Sequence, residues 1–390
     1  MLYIAIIIYI LLLINRYDAK QLTGGDRHYY ALFILLTGMA ALSYRMGIDP
    51  IRYEYYFDNN YQHLNLKTLF SDYDSSSSSE PIWKLVNYFW YVTTHNFQWV
   101  KATVAVFVNS VVFWFIKKHS PVKFTSILIY VLLIYVSYSF EVFREAISVS
   151  FFLIAYDKLC SGKGYKSYYL WIIPALFCHR FAFITLFFPF VSKIRYNRGF
   201  IIVVLGAIIL SPILFKVLDS VVSMNILNMV ISGRIEGLAE SETYGMTHRN
   251  IFGFIEMCLY TIIPLLILLR SSDDDNFKSC SLLYIIVFIL KSTSFVILYR
   301  INNYLAIPLI VALSTGINNS IYKRDSFRVP TLLNSRAIST ICVAIYLGFI
   351  VKNFVSSETF CLYHPYHSII TKEIDMERES KINELAPYFF

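Results

Sequence analysis

The chain has 390 residues, 57% of them hydrophobic and only 15% charged, with a mean hydropathy of +0.54. That balance excludes an ordinary soluble domain: residues 201–210, 262–269 and 282–290 are apolar all round rather than on one face, which suits lipid as the solvent. The formal net charge of +8 fits basic loops facing anionic lipid, and no motif points to nucleic acid.

In chain order, residues 2–14 read as a retained first span, with no basic residue before them and no small-residue cleavage site after. Loops rich in Lys and Arg and poor in acids then mark the cytoplasmic side. These are Lys117-Lys118 with Lys123; Lys158, Lys163 and Lys166; Lys193, Arg195 and Arg198; and Lys323, Arg324, Arg328 and Arg336 against Asp325. Residues 16–27 form a weaker member of the set. Crossings between two such loops must be even in number, and that constraint threads most of the chain.

A second span over 29–44 delivers Arg45 to the outer face and opens an external loop, 45–96. The loop holds a low-complexity serine run, Ser75 to Ser79, and an amphipathic aromatic stretch, 81–94, suited to lying in the interface. The span 97–116 returns to Lys117. Residues 124–157 go out and back, with Glu141, Arg144 and Glu145 at the outer turn. Residues 168–191 need a hairpin too, yet about 24 residues cannot make two full spans at about 1.5 Å per residue. Two half-helices meeting at His179-Arg180, the first loosened by Pro174, satisfy both constraints; a single tilted helix is the plainer alternative.

Later spans are expected at 200–218, 251–269, 282–298, 301–313 and 338–355, with external segments at 232–250 and 356–390. The expected fold is an all-α polytopic integral membrane protein, one transmembrane domain over 1–390, with roughly 10–12 transmembrane helices including the half-helix pair. Both termini lie outside.

This threading gathers Arg45, Arg144, His179-Arg180 and Arg300 on one side. Ionisable residues at span ends are functional candidates, because an unsatisfied charge in hydrocarbon costs several kcal/mol. Arginine at such points favours two-point recognition of phosphate. Plainer readings stand beside this one: Arg45-Met-Gly47-Ile-Asp49 suits a turn in which Gly47 supplies an unusual backbone angle and Asp49 pairs with Arg45 or Arg52. Glu141 at i−3 can pair with Arg144. His179, within an apolar run, suits either a base near neutral pH or helix packing, and Arg180 beside it disfavours its protonation. Tyr53, Tyr56, Tyr304, Tyr363 and Tyr366 can stack on sugar rings.

Six scattered cysteines have no metal or redox spacing, and no Walker loop, dinucleotide turn or G-x-S-x-G is present. No cofactor or metal is expected.

The ordered set of short motifs resembles the EpsG-type, Wzy-like polymerases of bacterial surface polysaccharides. It comprises Arg45-x-Gly47-x-Asp49-x-x-x-Tyr53, Glu80-Pro81, Arg144 opening a helix, His179 before an aromatic-rich segment, Arg300-x-Asn302-x-Tyr304, and a tail from Tyr363 to Ser368. Glu145 after Arg144, and Arg180 after His179, depart from the pattern. The resemblance implies a substrate of undecaprenyl-diphosphate-linked repeat units on the outer leaflet of the inner membrane. The site would face the periplasm or exterior. It implies transfer of a growing O-antigen, capsule or exopolysaccharide chain onto a sugar hydroxyl, with a flippase and a chain-length regulator as partners besides membrane lipids. Within that reaction the expected catalytic residues are His179, Arg144, Arg300, Asp49 and Glu80. Arg45, Tyr53, Arg180, Asn302 and Tyr304 are expected to bind substrate. A flippase for the same repeat unit and a membrane polysaccharide acyltransferase are the competing readings.

Overall fold

In hydrocarbon a helix satisfies its backbone donors and acceptors within one segment, so apolar runs separated by short polar breaks become helices. The computed structural model describes residues 2–20, 22–62, 80–191, 206, 210, 251–268, 275–291, 299–322, 336–355 and 360–385. Among these the regular structure is helical apart from an isolated antiparallel bridge between Ser43 and Ser368. The described residues form two compact units, Met1–Leu186 with Phe349–Phe390, and Phe187–Gly348.

In the first unit α1 is Leu2–Leu13, α2 Asp26–Ala41, α3 Asp49–Asn60, α4 Pro81–Thr94 and α5 Gln98–His119. Helices α6 (Lys123–Tyr130) and α7 (Val136–Phe140) are joined into one rod by a wider π-type turn, Val131–Tyr135. Then come α8 (Phe143–Cys160) and α9 (Gly164–Cys178). Gln98–His119 and Lys123–Phe140 are long and apolar enough to cross a membrane. α8 is a helix of 18 residues whose charges, Arg144 and Glu145 at one end and Asp157 and Lys158 at the other, flank an apolar middle. That is the distribution of a span with charged ends at the two interfaces.

Contacts between helix ends establish the alternation. Asp18 accepts hydrogen bonds from the Thr125 amide at 2.6 Å and its hydroxyl at 2.8 Å, at the start of α6. Asp26, first in α2, pairs with Lys117 at 3.1 Å and with Lys123. Asp157, near the end of α8, pairs with Lys118 at 2.6 Å and His119 at 2.8 Å. Of the basic stretches expected on one side, Lys117-Lys118 with Lys123, and Lys158, thus share one end of this unit with the start of α2. At the opposite end Gln98 donates to the Ala41 carbonyl and buried Lys101 to that of Ser43, tying the end of α2 to the start of α5.

α9 contains Pro174 and stops at Cys178, and His179 adopts an extended backbone, φ −157° and ψ 132°. A 3-10 segment, Arg180–Phe187, follows. The Tyr168 hydroxyl donates to the Thr185 carbonyl at 2.6 Å and that of Tyr169 to Leu186 at 3.2 Å, so the second segment runs back along the first. This is the half-helix pair expected from the crossing rule, with its apex at His179-Arg180.

The second unit contains α10 (Phe188–Val191), α11 (Ile251–Leu268), α12 (Asp275–Lys291) and α13 (Tyr299–Tyr322). α14 (Arg336–Val355) follows, and α15 (Met376–Leu385) lies in the C-terminal part of the first unit. Arg300–Asn319 is a third helix long and apolar enough to cross. α12 starts at Asp275 rather than 282, and α13 runs to Tyr322 rather than ending at 313, because backbone hydrogen bonding continues past the apolar stretch into polar residues. The external loop expected at 232–250, the serine run and the basic residues Lys193, Arg195, Arg198, Lys323, Arg324 and Arg328 lie outside the described residues. So does the span expected at 200–218, apart from residues 206 and 210.

The C-terminal segment, expected as an external tail, packs on the end of α2 and the start of α3. The amides of Tyr44 and Ile369 donate to His367 at 3.0 Å and Leu42 at 2.9 Å, and Tyr366 donates its hydroxyl to Met39 at 3.1 Å. Leu362 and Ile382 close over Ile51 in a small apolar cluster.

Candidate functional site

The chain leaves α2 through a tight turn. Arg45 has φ +44° and Gly47 φ +76°, both left-handed. A Cβ on Gly47 would stand 1.9 Å from the Phe140 carbonyl oxygen, so glycine is required there both for conformation and for close approach. α3 then begins with its first amides aimed at one acid: Ile48 and Asp49 donate to Glu141 at 3.0 and 3.2 Å, and the Tyr363 hydroxyl donates to it at 2.5 Å. A carboxylate at a helix N-terminus meets unsatisfied N–H groups and the positive end of the helix dipole. Burial, aided by the charge of Asp49, nevertheless pushes the Glu141 carboxyl up to about 7.

Arg144 is the second residue of α8. It donates from Nη1 to Glu80 Oε2 at 2.8 Å and from Nε to the Tyr53 hydroxyl oxygen at 3.3 Å, and its guanidinium lies 5.4 Å from the centre of the Tyr53 ring. Tyr53 in turn donates its hydroxyl to Asp49 Oδ2 at 3.3 Å. The ring is held against Trp83 at 5.0 Å and Phe143 at 6.1 Å. Glu80 stands just before α4 with an extended backbone, and its other oxygen accepts the Arg180 amide at 3.4 Å. One carboxylate therefore bridges the arginine of α8 and the apex of the half-helix pair.

Asp49, Tyr53, Glu80, Arg144, His179 and Arg180 accordingly converge at one end of the first unit, opposite the end rich in lysine. Glu80 is 8% exposed, Tyr53 9% and His179 7%, while Arg180 is exposed. The expected pair between Glu141 and Arg144 is not made. The backbone between them leaves helical geometry at Glu141 (φ −135°, ψ −75°) and Val142 (φ −90°, ψ 54°), so the i−3 relation across one helix face does not exist. Asp49 likewise takes Tyr53, and Arg45 forms a two-point pair with Glu379 of α15 at 2.5 and 2.6 Å. The hydrogen bonds it donates to Glu379 hold the Arg45 guanidinium protonated more firmly than usual.

Arg300, Asn302 and Tyr304 open α13 in the second unit. Asn302 and Tyr304 are 3% and 1% exposed, and neither amide atom of Asn302 has a hydrogen-bond partner among the described residues. A buried amide in this state can satisfy a ligand hydroxyl at little further cost. Tyr363 and Tyr366, considered above for sugar stacking, use their hydroxyls to anchor the C-terminal segment.

Sequence reasoning missed Glu141 as a helix cap, together with Arg378 and Glu379. An acid in a turn between apolar helices was the available signal for the first; two charges in a polar tail carry none. Among the described residues no group of His, Cys, Asp and Glu is arranged to hold a metal ion.

The cluster combines an arginine with a carboxylate and tyrosine partner, a histidine at a helix break, and a second acid, all at the end of a bundle of membrane character. It is equipped to bind an anion and to handle a proton beside it. A family model described as the EpsG family matches residues 26–368. No curated protein and no solved structure matches the chain.

Proposed function

The chain belongs to the EpsG family, and from that premise we propose that it is a glycosyltransferase of the polysaccharide-polymerase kind. It joins undecaprenyl-diphosphate-linked oligosaccharide repeat units on the outer face of the bacterial inner membrane. The observation that carries the reading is the convergence of Arg144, Glu80, Tyr53 and Asp49 with the His179 break at one end of a membrane bundle.

In the reaction an acceptor sugar hydroxyl attacks the anomeric carbon of the donor chain. A new carbon–oxygen bond forms, the bond to the diphosphate oxygen breaks, and undecaprenyl diphosphate leaves with the bonding electron pair. Negative charge grows on that leaving group, and a preorganised guanidinium stabilises it more in the transition state than in the ground state. Arg144 fills this role. Glu80 and Tyr53 hold its plane before substrate arrives, so little reorganisation accompanies the chemistry.

Arg300 binds the second diphosphate, on the strength of its motif with Asn302 and Tyr304, and Arg45 supports. The proton released by the acceptor passes to His179, whose extended backbone at the apex keeps the imidazole out of a helix. Asp49 is the alternative base. Glu80 is less suited to that task, since Arg144 engages one of its oxygens and the Arg180 amide the other.

Arg144→Ala, Arg300→Ala and His179→Ala, compared for polymer ladder length at matched membrane levels, test the assignment; normal ladders from all three would end it. Accumulation of single repeat units outside a deletion strain supports polymerisation, whereas lipid-linked units trapped inside would point to a flippase.

A further inference from the structure

The C-terminal helix α15 carries two consecutive charged residues that both act on Arg45, and both lie beyond residue 368, where the family match ends. Arg378 is 2% exposed. Among the described residues its guanidinium donates to backbone carbonyls: Nε to Cys361 at 3.0 Å, Nη1 to Arg45 at 3.5 Å, and Nη2 to Pro365. Glu379 takes the side chain of Arg45, Oε1 from Nε at 2.5 Å and Oε2 from Nη2 at 2.6 Å. Arg45 is thus held twice by one helix, its carbonyl by Arg378 and its guanidinium by Glu379.

Both grips have a physical purpose. A non-glycine residue at φ +44° persists only where surrounding contacts over-determine its backbone. A two-point pair fixes the plane of a guanidinium as a single contact does not. α15 is itself secured: Ile382 packs with Ile51 and Leu362, and Asp375 accepts the Arg378 amide at 3.1 Å. Burying a cation is costly even with the Asp375 and Glu379 carboxylates nearby, and an apolar side chain would cover the same surface without that cost.

We infer that Arg378 and Glu379 are positioning residues that orient the guanidinium of Arg45 toward the phosphate of the substrate, which makes the C-terminal helix part of the site. The inference rests on the assignment of Arg45 to substrate made above.

Full-length protein in lipid nanodiscs tests it with Glu379→Gln, which keeps the size of the side chain and removes its charge. Phenylglyoxal labelling of Arg45, read by mass spectrometry, is expected to run about threefold faster or more once the carboxylate no longer holds the fork. The apparent KM for lipid-linked oligosaccharide is expected to rise about fivefold with kcat within about twofold, the pattern of lost binding rather than lost chemistry. Arg378→Lys, which keeps the charge but cannot reach three carbonyls, gives the same directions and serves where Arg378→Ala fails to fold. Unchanged labelling in Glu379→Gln overturns the clamp whatever the kinetics do. Faster labelling with an unchanged KM upholds the clamp and overturns instead the substrate role of Arg45.

Discussion

The two ends of the first unit both carry ion pairs, and they are built differently. At the lysine-rich end Asp26 is 55% exposed by side chain and serves both Lys117 and Lys123, whereas Asp157 is buried and takes Lys118 and His119. At the other end Glu80 is buried and Arg144 partly so, and Tyr53 completes the hydrogen bonding. Exposed pairs contribute little to stability and tolerate exchange, whereas a partly buried network holds a defined geometry that fails when one member is removed. Enclosure alone does not mark a site in this molecule, since Asp157 is buried too; what distinguishes the other end is an arginine, two acids and a tyrosine directed at one another.

That contrast is open to direct attack. Arg144→Ala is expected to reduce polymer formation about 100-fold or more at matched membrane levels, through loss of leaving-group stabilisation. Arg144→Lys restores little, because an ammonium has no fork with which to hold Glu80 and a phosphate together. Glu80→Gln preserves shape and removes the counterion, with an expected loss of about tenfold; a gain instead would recast Glu80 as a competitor for the guanidinium. Tyr53→Phe deletes one hydroxyl between Arg144 and Asp49 and is expected to cost about two- to fivefold in the same assay.

A pH experiment sharpens the comparison at Glu141. Its folded-state value, raised from 4.5 to about 7, means that its contribution to stability is full below 4.5 and lost as pH rises through about 7. The melting temperature is expected to fall over that window, and Glu141→Gln to remove the fall. The smallest effect belongs to the lysine-rich end: Lys117→Ala combined with Lys123→Ala is expected to leave polymer length within about twofold of wild type. A loss there as large as that of Arg144→Ala would abolish the distinction between the ends.

Much of this architecture was legible in the sequence where the governing physics is local or one-dimensional. The helix Pro81–Thr94 falls where its amphipathic pattern begins and ends. The break at His179 follows from counting crossings between basic loops, and the turn before Arg144 from the same count. Helix ends were less legible, as at Asp275 and Tyr322, because hydropathy marks where lipid stops and helices continue past that point.

Partners were not legible. Arg144 has an acid three residues away and chooses one 64 positions distant, because two non-helical residues turn Glu141 toward the start of α3. Arg45 pairs 334 positions away with a residue in a tail that shows no motif. The sequence by itself determined that the chain is an all-α membrane protein and that its backbone turns near Glu141 and at His179, since periodicity, hydropathy and loop charge act along the chain. Only the tertiary structure decided which acid faces which arginine and that the C-terminal helix closes on Arg45. Those choices depend on backbone direction at a few non-helical residues and on contacts between segments far apart in sequence.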